Sequence, residues 1–306
     1  MTAPLEGRTA VVSGAGAGLG RAEAFALALC GANVIVNDIG SQAHAVVEEI
    51  TVAGGRAAAV VGDVSHWALG AELVTAALDR FGSLDIVVNN AGIIRDRMIF
   101  NMTEHDWAEV IGVHLTGHAA LCQAATAHWR SESKRTGAPV YGRVINTSSE
   151  AFLLGAVAAP NYAAAKAGIT ALTVSTARAT AKYGVTANAI CPRARTQMTA
   201  GVMQPASQTT SGVDYLAPER VATFVAYLAS PHAAAITGQV FIVYGDFVAL
   251  MAPPRVETTF VAPTGLFSLP ELETQIGSHF ADRPAEAMFA AFDITTLSAD
   301  ALTDRS

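Results

Sequence analysis

The sequence has few cysteines, few charged residues and no long uninterrupted apolar run. Its three cysteines, Cys30, Cys122 and Cys191, are far apart and stand in apolar contexts, so we predict neither disulfides nor a cysteine metal site. Hydrophobic residues make up 51% of the chain, yet no stretch reaches the ~18 apolar residues that would predict a membrane span. Residues 1–8 lack the apolar core of a signal peptide. We therefore expect a cytoplasmic protein with no membrane span.

Basic residues are also scarce. The chain of 306 residues has 19 Lys and Arg against 26 Asp and Glu, which gives a formal net charge of −7. Without a basic run, nucleic acid is a poor candidate partner. The high apolar content is better explained by a sheet that is covered on both faces and by buried interfaces in a homo-oligomer.

Apolar runs that favour strands alternate with longer segments of helical periodicity. The predicted strands are Thr9–Ser13, Asn33–Asp38, Ala57–Val61, Leu84–Asn89, Arg143–Thr147, Val185–Cys191 and Gln239–Tyr244. The predicted helices are Arg21–Leu29, Gln42–Val52, Trp67–Phe81, Asp106–Arg135, Asn161–Tyr183 and Pro218–Ala229. This alternation predicts an α/β protein with a Rossmann-type, doubly wound parallel sheet. Such a sheet binds its ligands at the carboxyl ends of the strands.

The regular pattern fades after Tyr244, where several prolines interrupt the chain. We expect a single cofactor-binding domain over residues 1–250. Residues 251–306 are predicted to be a C-terminal extension that has a short helix near Leu269–Phe280. It would cover a neighbouring subunit or the substrate opening.

Tyr162 and Lys166 stand four residues apart, so on a helix they share one face. A tyrosine hydroxyl has a pKa near ~10, and an adjacent ammonium group favours its ionised form. Ser149 lies thirteen residues earlier, just after a predicted strand. A hydroxyl, a phenol and an amine in this order favour oxidation of an alcohol or reduction of a carbonyl with a nicotinamide cofactor.

A glycine-rich turn precedes the first predicted helix and contains Gly14, Gly18 and Gly20 in the spacing GxxxGxG. Glycines let the backbone approach a pyrophosphate, and the helix N-terminus supplies free N–H groups. Asp38 ends the second predicted strand, where its carboxylate can accept hydrogen bonds from adenosine ribose hydroxyls and would repel a 2′-phosphate. We therefore predict NAD rather than NADP. Asp63 either contacts the adenine or caps the next helix.

These features together resemble the short-chain dehydrogenase/reductase family over about residues 5–250. The resemblance rests on the glycine turn, on Asn89-Asn90-Ala91-Gly92, on the serine thirteen residues before YxxxK, and on the loop that Pro192 begins. Strings such as residues 32–38, 91–97 and 113–117 are similar to the dehydrogenase part of peroxisomal multifunctional enzymes, which act on 3-hydroxyacyl-CoA. Residues 146–151 and 190–196 are similar to actinobacterial enzymes of steroid catabolism, which are 17β-hydroxysteroid or 3-hydroxyacyl-CoA dehydrogenases.

The resemblance implies a role for each matching residue. Tyr162 would be the acid/base, Lys166 would bind the nicotinamide ribose and lower the pKa of the tyrosine, and Ser149 would bind the substrate oxygen. The predicted catalytic residues are Ser149, Tyr162, Lys166 and His114. The predicted cofactor contacts are Gly14, Gly18, Leu19, Gly20, Asp38, Asp63, Val64, Asn90, Ala91, Gly92, Tyr162, Lys166, Pro192 and Thr196. Members of this family are commonly tetramers, so we expect a tetramer or a dimer.

The sequence departs from the family pattern at three positions. Ser13 replaces the usual threonine before the first glycine, and Arg193 replaces the usual glycine after Pro192. His114 stands where an asparagine usually serves in a proton relay, and a histidine that titrates near neutrality can fill that role. His118 follows four residues later, but no third ligand is evident, so we predict no metal site.

The substrate is predicted to be a 3-hydroxyacyl-CoA, with a steroid acyl group as one possibility. Arg193 and Arg195 would then contact CoA phosphates, although they could also be structural arginines. The alternative is a free hydroxysteroid in an apolar pocket lined by Met198 and Met203. A third alternative is a non-catalytic nucleotide sensor or scaffold, since fold alone does not determine function.

Overall fold

One eight-stranded sheet organises the protein, whose computed structural model describes residues 3–195, 214–284 and 287–297. Its strands are β1 (Thr9–Val12), β2 (Asn33–Asp38), β3 (Arg56–Val61), β4 (Ile86–Asn89), β5 (Gly142–Thr147), β6 (Val185–Arg193), β7 (Val240–Tyr244) and β8 (Phe247–Leu250). The α-helices of the described ranges are α1 (Gly18–Leu29), α2 (Gln42–Val52), α3 (Ala68–Phe81), α4 (Glu104–Ile111), α5 (Gly117–Thr136), α6 (Ala151–Leu154), α7 (Pro160–Thr180), α8 (Pro218–Ala229), α9 (Leu269–Leu272) and α10 (Ser278–Ala281).

The strand order is β3-β2-β1-β4-β5-β6-β7-β8, and all neighbouring pairs but the last are parallel. The chain moves outward from β1 to β3 and then crosses back to place β4 on the other side of β1. A crevice opens at such a reversal, between the carboxyl ends of the two central strands. The predicted Rossmann-type doubly wound fold is confirmed, and its switch point lies between β1 and β4.

The sequence analysis missed β8. Gly245 has a φ of +58° and forms, with Asp246, a two-residue loop that turns the chain back so that Tyr244 pairs with Phe247. A glycine at the first position of a two-residue loop is a hairpin signal. The sheet is therefore mostly parallel, with one antiparallel strand at its edge.

The two faces of the sheet are covered by separate apolar clusters. Along β1, Ala10 and Val12 belong to one cluster and Val11 to the other, as the two-residue period of a strand requires. Residues of α1 and α8 cover the first face, while residues of α3 and α5 cover the second. Each fully buried aliphatic side chain contributes about 1.5–3 kcal/mol. This double cover holds the carboxyl edge of the sheet in place for the site.

The single helix predicted over Asp106–Arg135 is divided in the structure. A π-helical turn, Gly112–Thr116, joins α4 to α5 and contains the buried His114. Such turns widen a helix locally and often occur at functional sites. Sequence periodicity could not locate this turn, because it adds only one residue to the helical repeat.

Beyond β8, most of the chain packs loosely. Three segments, α9, the π turn Glu273–Gly277 and α10, form the short helix predicted near Leu269–Phe280. Several large apolar side chains stay exposed here, among them Leu266 at 81% and Phe289 at 94%. Residues 291–297 differ, because Ile294 is buried against the domain. Within the described residues, no helix combines the length and apolar character needed to cross a membrane.

Candidate active site

The glycine turn after β1 packs directly against the end of β4. A Cβ atom on Gly14, whose φ is +61°, would lie 2.6 Å from the Ala91 Cα atom, and one on Gly20 would lie 2.3 Å from the Gly14 carbonyl oxygen. Asn90 Nδ2 donates hydrogen bonds to the carbonyls of Ser13 (3.2 Å) and Gly14 (3.0 Å). The glycines are therefore needed for a close fit between the two central strands.

Ser13, which replaces the usual threonine, links β1 to β4 through its hydroxyl. Its Oγ atom accepts hydrogen bonds from the backbone N–H groups of Asn90 (3.1 Å) and Ala91 (3.3 Å). Since only the hydroxyl takes part in these bonds, the missing methyl group leaves this link between β1 and β4 intact.

Asp38 and Asp63 occupy turns at the carboxyl ends of β2 and β3. Asp38 accepts hydrogen bonds from the backbone N–H groups of Gly16 (2.9 Å) and Gly40 (3.2 Å), which hold its carboxylate beside the glycine turn. Asp63 accepts one from Ser65 N–H at 2.9 Å and thus stabilises the turn before α3. Both carboxylates line a cavity at the carboxyl edge of the sheet.

A cavity of about 420 Å³ runs along the carboxyl edge of the sheet. The predicted cofactor contacts that line it are Gly14, Gly18, Leu19, Asp38, Asp63, Val64, Asn90, Ala91, Gly92 and Pro192. The predicted catalytic residues His114, Ser149, Tyr162 and Lys166 line it as well. Gly20 lies beneath the glycine turn, and Thr196 lies outside the described residues. A phosphate-binding turn at one end and a phenol at the other fit a nicotinamide dinucleotide.

Helix α7 carries Tyr162 and Lys166, and the buried Asn161 fixes its start. Asn161 Nδ2 donates to the carbonyls of Arg95 (3.1 Å) and Asp106 (3.0 Å), and its Oδ1 accepts from Tyr162 N–H at 2.8 Å. Sequence reasoning missed this residue. Its position directly before the tyrosine, at the amino end of a helix that begins with Pro160, was the available signal.

Lys166 is buried, with 2% of its surface exposed. Its Nζ atom donates a hydrogen bond to the carbonyl oxygen of Thr147, the last residue of β5, at 2.6 Å. Burial disfavours the charged amine and lowers the pKa of Lys166 to about 7. The amine can therefore gain or lose a proton near neutral pH.

The expected lowering of the Tyr162 pKa by Lys166 was wrong for this structure. Burial raises the pKa of Tyr162 above its ordinary value, and the hydrogen bond with Ser149 lowers it by less. The Lys166 Nζ atom lies 5.3 Å from the centre of the tyrosine ring and donates to Thr147 instead. The amine is thus directed to a backbone carbonyl and not to the phenol hydroxyl.

His114 lies against Tyr162, with 5.1 Å between the ring centres. Its Nε2 atom is 2.8 Å from the carbonyl oxygen and 3.0 Å from the backbone nitrogen of Ile93. A Cβ atom on Gly92 would approach the imidazole to 2.3 Å, so a glycine is required there. The His114 Nδ1 atom is buried and has no hydrogen-bond partner among the described residues.

Burial and the nearby Lys166 lower the pKa of His114 to about 3. The expectation that this histidine titrates near neutrality was therefore wrong, and a relay through it would use the neutral ring. Burial also puts the pKa of His118, one helical turn later, well below its ordinary value.

Arg193 does not have the surroundings predicted for a phosphate ligand. Its guanidinium donates to both carboxylate oxygens of Glu150, each at 2.7 Å, and to the carbonyl oxygens of Ile294 and Leu297, also at 2.7 Å. With its charge neutralised by Glu150 and four of its five N–H donors in use, it is a poor ligand for CoA phosphates, contrary to the prediction. Glu150 follows β5 and Arg193 ends the adjacent β6, so opposite charges at neighbouring strand ends were the missed signal.

Arg195 has a looser setting. It forms a two-pronged ion pair with Asp214, at 2.9 and 3.2 Å, and 40% of its side chain is exposed. Met198 and Met203, which we predicted to line an apolar pocket, lie outside the described residues.

Comparison with known proteins agrees with this geometry. The model of the short chain dehydrogenase family matches residues 8–206. The hydroxyacyl-CoA dehydrogenase ChsB1 of Mycobacterium tuberculosis is 52% identical over 301 residues, which cover 96% of this chain and 95% of that protein. The peroxisomal hydratase-dehydrogenase-epimerase of Saccharomyces cerevisiae is 39% identical over 231 residues, or 72% of this chain, but only 24% of that longer protein is covered.

A solved structure is also similar. The crystal structure of a short chain dehydrogenase from Mycobacterium avium matches with a TM-score of 0.82 and 41% sequence identity. The match covers 92% of this chain and 97% of the other.

Proposed function

The chain belongs to the short-chain dehydrogenase family, and we propose that it is an NAD-dependent dehydrogenase that oxidises a 3-hydroxyacyl-CoA. The observation that carries the proposal is one cavity that holds Ser149, Tyr162 and Lys166 at one end and Asp38 at the other. The similarity to a hydroxyacyl-CoA dehydrogenase along nearly its whole length supports the substrate class.

The chemistry needs one proton acceptor and one group that holds the substrate oxygen. NAD, when bound, supplies the hydride acceptor and a positive ring that favours a nearby phenolate. Tyr162 takes the hydroxyl proton of the substrate, and Ser149 donates a hydrogen bond to the oxygen, where negative charge develops. Lys166 would hold the ribose of the cofactor and, with its pKa of about 7, can pass the proton onward. The hydride and the proton together account for the two hydrogens that the alcohol loses.

We propose NAD rather than NADP because Asp38 holds a negative charge beside the glycine turn. Replacing it, as in Asp38→Ala, should weaken NAD binding roughly ten- to a hundredfold, the usual value of hydrogen bonds to a charged group. The loss should be much smaller for NADP. Equal losses for both cofactors would contradict the assignment.

The cationic contacts for CoA must come from arginines other than Arg193. We propose Arg195 and Arg97, whose side chains are 40% and 59% exposed and whose ion-pair partners, Asp214 and Asp106, can be exchanged for phosphates. The variants Arg195→Ala and Arg97→Ala should each raise the Michaelis constant for an acyl-CoA by about threefold to tenfold.

An acyl-pantetheine substrate provides the matched control, because it keeps the thioester but lacks the nucleotide phosphates. The same variants should leave its Michaelis constant unchanged, as should Arg135→Ala, which breaks an exposed ion pair elsewhere. Equal changes in the Michaelis constants of both thioesters would show that these arginines do not contact the CoA phosphates.

The deciding assay follows NADH formation from NAD with a 3-hydroxyacyl-CoA and, in parallel, with a 17β-hydroxysteroid. Much higher kcat/KM on the thioester supports the proposal, and acyl chains with and without a steroid nucleus then define the place of the enzyme in lipid or steroid metabolism. A preference for the free steroid would overturn the substrate class. Tight NADH binding with no turnover of any alcohol would favour a nucleotide-sensing or scaffold protein.

We further propose a cytoplasmic homo-oligomer, a tetramer or a dimer, whose cofactor-binding domain ends at residue 250. All three cysteines are free, which suits a reducing compartment. Large apolar side chains are exposed on α4, α7 and β8, including Trp107, Val174 and Leu250. Light scattering of the purified protein gives the subunit number, and a monomer at micromolar concentration would contradict the proposal.

A further inference from the structure

Arg193 connects three parts of the chain that are distant in sequence. It ends β6 next to the cofactor residue Pro192, forms an ion pair with Glu150, and donates to the carbonyls of Ile294 and Leu297. The two charged side chains are only 17% and 14% exposed. Because the pair is largely withdrawn from water, loss of either member leaves the other without compensation.

The partner Glu150 directly follows the catalytic Ser149 and is the N-cap residue of helix α6. Its carbonyl oxygen accepts hydrogen bonds from the N–H groups of Leu153 (2.9 Å) and Leu154 (3.0 Å). The Ser149 Oγ atom in turn accepts one from Ala151 N–H at 3.2 Å. The position of the serine hydroxyl therefore depends on how α6 is held.

Residues 291–297, which we call the C-terminal clasp, hold α6 from the other side. The N–H group of Ala291 donates to the carbonyl of Leu153 at 2.9 Å. Ile294 is 4% exposed and packs in one cluster with Cys191 of β6 and Ile242 of β7. The clasp thus combines a backbone bond, an apolar anchor and the two carbonyls that Arg193 binds.

We propose that Arg193 and Glu150 are positioning residues that lock the C-terminal clasp onto α6 and so fix the Ser149 hydroxyl for catalysis. The inference rests on the proposed dehydrogenase function. It also explains why an arginine replaces the usual glycine after Pro192. The arginine side chain connects the C-terminal clasp to the segment that contains Ser149. Neither residue touches the substrate in this role.

Four variants test this proposal: Arg193→Ala, Arg193→Lys, Glu150→Gln and a chain that ends at residue 290. Arg193→Ala should lower kcat roughly ten- to a hundredfold, since small misplacements of a catalytic group have effects of this size. The affinity for NADH should stay within about twofold, because the glycine turn is untouched. Arg193→Lys should recover part of kcat, since lysine keeps the charge but has fewer donors.

The effects of changing Arg193 and of removing the C-terminal clasp should also depend on each other. Shortening the chain in the Arg193→Ala background should lower kcat by less than the product of the two single effects, because both changes remove the hydrogen bonds between Arg193 and the Ile294 and Leu297 carbonyls. Arg135→Ala, which breaks an exposed ion pair with Glu132, is the matched control and should leave kcat unchanged. Fully multiplied effects of the two changes would show that the arginine and the clasp act separately, and would overturn the proposal.

Amide hydrogen exchange over residues 150–154 gives a reading that does not depend on turnover. Exchange there should become faster in Arg193→Ala and in the shortened chain, while α1 keeps its protection. If exchange and kcat both stay as in the parent, the clasp has no positioning role.

Should Arg193→Ala not fold, the milder variants Glu150→Gln and Arg193→Lys test the proposal by the same two measurements. A parent protein that oxidises no alcohol would overturn the proposed function alone, and the exchange experiment would still test whether Arg193 holds the clasp on α6.

Discussion

The cofactor half and the substrate half of this protein are built in different ways. Around the glycine turn, backbone groups and missing side chains make the fit, as in the approach of Gly14 to Ala91 and the bonds between Ser13 and Asn90. On the substrate side, the fit depends on charged and apolar side chains that come together from far along the chain. The Arg193 guanidinium and the Leu297 carbonyl are 104 positions apart.

The difference explains why one half follows a recognisable motif and the other does not. A turn that needs glycines leaves little freedom in sequence, whereas an ion pair and an apolar anchor can be replaced by other combinations. We therefore expect changes in substrate to arise in the half that contains the clasp, while the cofactor site is kept.

The largest effect should come from Tyr162→Phe, at the place where the two halves meet. Loss of the phenol removes the proposed proton acceptor, so kcat should fall at least ~10²-fold, the usual scale for acid–base catalysis. NADH binding, measured by fluorescence titration, should be preserved. The half-exposed Tyr227→Phe serves as control. Near-parental turnover in a folded Tyr162→Phe protein would refute the assigned role.

A change in the cofactor half, Gly14→Ala, should be next. The added Cβ atom would lie 2.6 Å from the Ala91 Cα atom in a residue with positive φ, so NADH affinity should drop by about tenfold or more. The free energy of unfolding should fall by about 1–3 kcal/mol. Gly82→Ala is the matched control, since Gly82 also has positive φ (+81°) but a Cβ atom added there would meet nothing within 4 Å. Equal effects of the two changes on NADH binding would contradict the close-fit argument.

A buried acid in the same half gives a smaller, pH-dependent effect. Glu23 on α1 is fully buried, its carboxylate oxygens have no partner among the described residues, and burial raises its pKa from 4.5 to about 8. Between these values the unfolded chain releases the proton and the folded protein keeps it, so stability is lost as pH rises through this window.

Glu23→Gln removes this dependence. At pH 8 the variant should be more stable than the parent by roughly 1–3 kcal/mol, and the advantage should shrink toward pH 5. Denaturant unfolding at several pH values measures it, with the exposed Glu48→Gln as control. Parallel stability curves for parent and Glu23→Gln would show that Glu23 is ionised in the fold.

The smallest effect should come from Arg21→Ala, which breaks the exposed ion pair with Glu49. Both side chains are more than 40% exposed, at 41% and 46%, so the free energy of unfolding should change by less than about 1 kcal/mol. Thermal unfolding provides the measurement. A larger loss would mean that the stacking of Arg21 over Phe25, at 4.8 Å, matters more than the charge.

The sequence predicted the parallel sheet and 14 of the 23 residues that line the cavity at its carboxyl edge. These features depend on local patterns, such as strand periodicity and glycine spacing. Three features escaped prediction for physical reasons. Strand β8 has only four residues with mixed burial, the π turn around His114 changes the helical repeat by one residue, and the Arg193 contacts join segments with no common pattern.

The ionisation states also escaped prediction. A lysine four residues from a tyrosine suggests a lowered phenol pKa, but the outcome depends on burial, which only the folded chain determines. Here burial lowers the pKa of Lys166 to about 7 and raises the pKa of Tyr162 above its ordinary value. The same holds for His114, whose type suggests titration near neutrality and whose surroundings prevent it.

The π turn at Gly112–Thr116 makes this active site sensitive to chain length at one point. A π turn holds one residue more than an α-helical turn, so deletion of a single residue there would restore a regular helix. Since the π turn already accommodates the extra residue, α4 and α5 would keep their relative orientation, and only the widened turn that places the His114 ring against Gly92 would be lost. A one-codon deletion could thus remove His114 from the cavity while every strand of the sheet keeps its place.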